Sequence, residues 1–147
     1  MNPLFPFYAG KAGLALLLVR LVMGAAFVLQ GLPKIQAPFT WMGEGTMPGV
    51  LQALAALSEF GGGLALILGL LTPIAALGLM GTMTVAAFVV HMGAGHPFVS
   101  GGEGPSYELA LVYWALSLLF VLMGPGAYSL DAWLSQQLKR SPKAMTT

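Results

Sequence analysis

Apolar residues gather in four long runs, Ala12–Leu32, Val50–Leu70, Ile74–Met92 and Tyr107–Gly124. Short stretches rich in glycine, proline and polar residues divide them. Each run of roughly 18–21 residues predicts a helix about 30 Å long, the thickness of a bilayer's hydrocarbon core. The alternating segments of about ten residues that a membrane barrel requires are missing. Between the second and third runs, Leu71-Thr72-Pro73 predicts a tight hairpin, with Thr72 as cap and Pro73 at the first helical position. Ser106 is the expected cap of the fourth helix, and Gly124-Pro125-Gly126 its stop. From Tyr128 to about residue 140, Leu130, Trp133, Leu134 and Leu138 alternate with Asp131, Gln137 and Lys139, which predicts a short amphipathic piece lying along the membrane surface. The first run is too long for a signal-peptide core and contains Arg20, so it reads as a retained helix.

Composition narrows the class. The chain of 147 residues is 57% hydrophobic and 7% charged, against about 25% charged in an ordinary soluble domain. A free-standing soluble globule and a disordered chain are both excluded. The expected architecture is all-α and integral to the membrane: one domain, 1–147, folded as an antiparallel bundle of four transmembrane helices. There is no cysteine, which excludes disulfides, thiolate metal sites, iron–sulfur clusters and covalently attached haem. A net charge of +1 leaves no footprint for nucleic acid.

The few charges also suggest an orientation. Lys11, Lys139, Arg140 and Lys143 fall on one side of the bundle and Lys34 alone on the other. The positive-inside bias places both termini in the cytoplasm and turns the loops 33–49 and 93–106 outward.

Ionisable residues inside a membrane are candidates for function. Arg20 lies within the first helix, on a face shared with Gly24, Phe27, Gly31 and Lys34. Glu59 lies in the second helix on a face with Gln52. Depths counted from the helix ends bring Arg20 and Glu59 near one plane, so an intramembrane ion pair between them is expected, either fixing helix register or serving chemistry. A second candidate site is an outer-face group of Lys34, His91 and Glu108. His91 would close a stripe of Leu77, Gly81, Thr84 and Phe88, with His96, Glu44 and Glu103 in the loops nearby. Trp41 and Trp114 read as interface anchors. No metal-ligand motif is present.

These residues in this order resemble the DoxX family of small four-helix bacterial membrane proteins. The resemblance runs from about Leu14 to Leu134. It rests on Arg20-Leu21, Gly31-Leu32-Pro33-Lys34, Glu59-Phe60-Gly61-Gly62, Leu68-Gly69-Leu70-Leu71-Thr72, His91, Gly101-Gly102-Glu103, Glu108, Gly124-Pro125-Gly126 and Ser129-Leu130-Asp131. It implies a similarity to the small subunit of an archaeal thiosulfate:quinone oxidoreductase, and to mycobacterial members that assemble with thiol- and superoxide-handling proteins. It implies the fold more directly than an activity.

The expected function is a quinone-linked or redox-associated subunit of an oxidoreductase complex in the bacterial inner membrane. It would have no covalent cofactor and would work as a homo-oligomer or with a redox partner protein. Lys34, His91 and Glu108 would bind a quinone head group, and the glycine-widened face of the first two helices would take its tail. Two other classes fit the same sequence. One is a non-catalytic scaffold or assembly factor docking through Gly61–Ala65–Gly69 and Gly78–Thr82–Ala86. The other is a small proton-coupled transporter using Glu59.

Overall fold

A computed structural model describes residues 7–43, 45–102 and 104–140. Glu44, Glu103 and Lys143 lie outside them, as do the side chains of Lys139 and Arg140. The described residues are helical, with no strand. The helices are α1 (Gly10–Gln36), α2 (Gly49–Leu68), α3 (Thr72–Thr84, continued by a π-helical stretch Val85–His91), α4 (Glu108–Met123) and α5 (Leu130–Arg140). Three of these segments, Gly10–Gln36, Gly49–Leu68 and Thr72–His91, are long and apolar enough to cross a membrane; α4 is apolar but shorter. Their outer faces carry large exposed apolar side chains such as Val22, Leu29, Leu57 and Ile74, the surface a lipid solvent selects.

α1 is longer than its apolar run. It passes through Pro33 and ends at Gln36, because the turn beyond the proline is tied to α2 by the Lys34 side chain. α2 stops two residues short of the predicted end. Gly69 takes a left-handed conformation (φ 66°), and the Leu70 N–H returns to the Ala65 carbonyl at 3.0 Å, a glycine-dependent C-terminal cap.

Glycines let α1 and α2 meet backbone to backbone. A Cβ built on Gly63 would stand 2.8 Å from the Gly24 carbonyl oxygen, and one on Gly24 would stand 2.7 Å from the Gly63 carbonyl oxygen. Higher along α1, Gly31 faces the backbone of Phe60. The glycine face of these two helices is therefore filled by helix contact and offers no slot for a ligand tail. The core continues through Phe27, Met23, Leu66, Leu79, Met83 and Phe120, with Phe27 tilted against Tyr113 at 4.8 Å between ring centroids.

The α2–α3 turn is closed from outside itself. Leu71 is left-handed without being glycine (φ 50°), a conformation that needs support. Support comes from Asp131 at the start of α5. Its carboxylate accepts the Leu71 N–H at 2.9 Å and the Thr72 N–H at 3.2 Å. In return the Asp131 N–H donates to the Gly69 carbonyl at 3.0 Å. Asp131 thus caps α3 from 59 residues away, in the place given to Thr72 by the sequence. Thr72 is instead the first residue of α3, and its buried hydroxyl has no partner. Nor does Ser106 cap α4, whose flanking residue is Tyr107. An Asp131→Ala variant is expected to lose about 1 kcal/mol, read as a lower midpoint in denaturant titration of the detergent-solubilised protein. An unchanged midpoint refutes the cap.

The end of α3 departs from regular α-helix. The Thr82 and Thr84 hydroxyls donate back to the Gly78 and Met80 carbonyls, a bonding pattern that loosens helices, and Trp114 Nε1 donates to Thr84 Oγ1 at 3.0 Å. Seven residues of π-helix follow. The expected stripe divides, within α3 itself and again across the π-helical stretch, which turns more slowly per residue than an α-helix. Leu77 and Gly81 face one way into a cavity, Thr84 meets Trp114, and Phe88 is half exposed.

Candidate functional site

Arg20 and Glu59 do not pair. Arg20, 1% exposed, donates from each of its three guanidinium nitrogens to a backbone carbonyl: Nε to Leu66 at 2.7 Å, Nη1 to Pro125 at 2.5 Å and Nη2 to Tyr128 at 2.9 Å. Leu66 lies in the last turn of α2, where carbonyls carry partial negative charge, and Pro125 and Tyr128 lie in the turn between α4 and α5. Arg20 is a common C-terminal clamp for two helices. Gly69 makes room for it, since a Cβ there would lie 2.8 Å from the guanidinium carbon.

Glu59, 2% exposed, pairs with Lys34 instead. Both carboxylate oxygens accept from Nζ, at 2.7 and 2.6 Å. The expected pairing fails on register. Arg20 lies level with the C-terminal end of α2, which puts it about ten residues, or ~15 Å, from Glu59 along that helix. The extra turn of α1 beyond Pro33 brings Lys34 there instead. The indole of Trp41 lies under the lysine, with Nζ 4.4 Å from the ring centroid, close enough for a cation–π contact.

The loop between α1 and α2 is held over this pair by Gln52, 1% exposed. Its side-chain oxygen accepts the Met42 N–H at 2.8 Å, and its amide donates to the Met47 carbonyl at 2.9 Å. Trp41 Nε1 donates to the Gln52 backbone carbonyl at 2.9 Å. A buried glutamine satisfied by loop backbone in this way fixes where Trp41, Met42 and Met47 stand.

Beneath the loop lies a cavity of about 570 Å³ between α2 and the α3/π segment. Lys34, Trp41 and Glu59 form its polar end, with Ser58 and Thr82 nearby. The rest is apolar, and Leu51, Leu54, Leu77 and Val89 at its edge are half exposed or more. The small residues Ala55, Gly78, Gly81 and Ala86 hollow it out. One charged but internally neutralised end and a long apolar body suit an amphiphile with a neutral polar head.

The outer-face group of Lys34, His91 and Glu108 is not assembled. Lys34 is committed to Glu59. His91 turns to His96, with their Nδ1 atoms 3.0 Å apart. Glu108 is exposed in the first turn of α4, where its N–H donates to the Phe98 carbonyl. Among the described residues no group of three or more potential metal ligands occurs. Sequence reasoning missed the Lys34–Glu59 pair, the Gln52 clamp and the carbonyl role of Arg20.

A protein-family model described as DoxX matches residues 15–92. The chain is 33% identical over 124 residues to the inner membrane protein YqjF of Escherichia coli (strain K12), an alignment covering 82% of this chain and 92% of the relative. The chain belongs to the DoxX family. It is also 37% identical over 119 residues to an uncharacterized protein of Haemophilus influenzae, covering 77% of this chain and 85% of that one. No solved structure matches. The DoxX match and the apolar helices together make the chain a multi-pass membrane protein. Every residue lining the cavity, from Lys34 to Val90, falls inside the DoxX match.

Proposed function

We propose that this DoxX protein is a quinone-linked, redox-associated subunit of an oxidoreductase complex in the bacterial inner membrane. In this reading both termini are cytoplasmic, four helices lie in the bilayer, and a second copy or a redox protein supplies what the chain lacks. The observation that carries the proposal is the cavity, whose polar end and apolar body match a quinone's head and tail. The donor set fits the group. Lys34 Nζ would donate to a head-group carbonyl, and the Glu59 carboxylate would accept from a hydroxyl of the reduced form. A bound quinone would supply the two-electron acceptor.

The chain's own residues bind, orient and exclude water. Lys34 and Glu59 cancel each other's charge, which favours a neutral head over an anionic one. Trp41 and the Gln52-held loop close the polar end, and Leu54, Leu77 and Val85 give the tail an apolar path. With no cysteine in the chain, electrons would arrive from a partner protein or directly from substrate.

The test is mass spectrometry of the protein extracted with its native lipids. Quinone is expected well above its proportion in the bulk lipid, and is expected to fall to that proportion when Lys34→Met and Glu59→Leu are combined. Quinone at bulk proportion in the wild type, or enrichment that survives the double substitution, overturns the proposal.

A further inference from the structure

The end of α3 carries a second cluster that the cavity does not use. The π-helical stretch ends in a glycine cap, in which the Ala94 N–H returns to the Val90 carbonyl at 3.2 Å and the Gly95 N–H to the Met92 carbonyl at 3.0 Å. The Met92 N–H donates to the Ala87 carbonyl at 2.9 Å, and the His96 N–H donates to the His91 carbonyl at 3.0 Å. Gly95 takes a positive φ of 74°, and a Cβ on Gly93 would press on the Val89 carbonyl. The backbone therefore folds back tightly and brings the two imidazoles together. Their centroids are 5.2 Å apart with 55° between the planes, and their Nδ1 atoms are 3.0 Å apart.

The two residues after His96 are held as well. The Tyr107 N–H donates to the Pro97 carbonyl at 3.3 Å and the Glu108 N–H to the Phe98 carbonyl at 3.0 Å, while the Phe98 and Tyr107 rings meet at 5.4 Å. The contact is thus built from both flanks and does not rest on the rings alone.

Two imidazoles can face each other through Nδ1 only while one of them keeps that proton as a donor. Shifting that proton to Nε2 leaves a lone pair on each Nδ1, and the two acceptors then repel unless a cation bridges them. At an ordinary metal–nitrogen distance of about 2.0–2.1 Å, a 3.0 Å separation subtends about 91–97° at the metal. That is close to the right angle between neighbouring ligands in tetragonal geometry, whereas a tetrahedral ion would need the nitrogens about 3.3–3.4 Å apart.

We propose that His91 and His96 form a two-imidazole site for a first-row transition metal ion, with Cu(II) the best fit. Cu(II) has the matching geometry and the highest affinity for such nitrogen donors in the divalent series. Both rings are only partly buried, so water can complete the coordination. The site is separate from the Lys34–Glu59 pair and stands whether or not the cavity takes a quinone.

The chain has two histidines and no cysteine, so imidazole coupling to bound copper can arise only here. Untagged protein in lipid nanodiscs is titrated with Cu(II) and followed by continuous-wave and pulsed electron paramagnetic resonance. One copper per chain is expected, with modulation from two equivalent imidazoles. His91→Asn and His96→Asn should each leave one imidazole and weaken binding by at least about tenfold, with helical circular dichroism unchanged. Coupling to one imidazole or none in the wild type at one equivalent, or unchanged affinity in either variant, overturns the proposal.

Discussion

Replacing Arg20 with methionine is expected to cost the fold about 3 kcal/mol or more. The substitution keeps the length and apolar stem of the side chain but withdraws three donors from the carbonyls of Leu66, Pro125 and Tyr128. A hydrogen bond involving a charged group contributes about 1.5–3 kcal/mol, and the Pro125 carbonyl, on a buried residue, is left without water to replace the donor. The sum is less than three separate bonds, because the turn after α4 can relax once released. Arg20→Lys should recover only part of the loss, since a point charge on a flexible stem cannot serve three acceptors in fixed directions. The measurement is unfolding in mixed detergent–denaturant solution, followed by tryptophan fluorescence and circular dichroism. A loss below about 1 kcal/mol would show that the clamp contributes little.

The second large effect is expected at Lys34. Lys34→Met alone leaves Glu59, 2% exposed, without its partner, and breaking a buried pair from one side costs about 3–5 kcal/mol. Adding Glu59→Leu removes the stranded charge and should restore stability to within about 1–2 kcal/mol of the wild type. The informative quantity is the coupling between the two substitutions, obtained from the four midpoints of a double-mutant cycle. Strong coupling with a stable double variant makes that variant a clean tool, folded yet without the polar end of the cavity. Additive losses would mean that Lys34 and Glu59 act independently.

Composition and apolar run length were enough to find the helices, because spanning a bilayer leaves so few options. The ends were less legible. α1 outruns its apolar stretch because an ion pair holds the turn past Pro33, and no local propensity encodes that. The face of Arg20, Gly24, Gly31 and Lys34 was visible as a face, but its register against α2 was not. Counting depth from helix ends treats both helices as starting level, and a few residues of offset exchange one partner for another. The missing signal was a match of glycines. Setting Gly24 against Gly63, as the structure does, places Arg20 opposite the α2 terminus and leaves Glu59 to Lys34. Asp131 was unreadable for a different reason: its acceptor role depends on a turn 59 residues earlier. The His91–His96 contact is made by the cap at Gly95; the glycines between the two histidines announce a turn but not that it sets the rings face to face.

The Arg20 clamp also bears on how the protein is made. Arg20 is 105 residues ahead of Pro125 in the chain, so during synthesis it enters the bilayer long before two of its three acceptors exist. Until then its charge must be sheltered by the Leu66 carbonyl or drawn toward the headgroups along its own flexible stem. The segment after α4 leaves the ribosome long after the first helix, and its arrival both relieves that helix and fixes the turn between the second and third. Closure of the fold waits on that arrival, and a ribosome that stalls before residue 125 leaves behind helices holding a cation short of two of its acceptors.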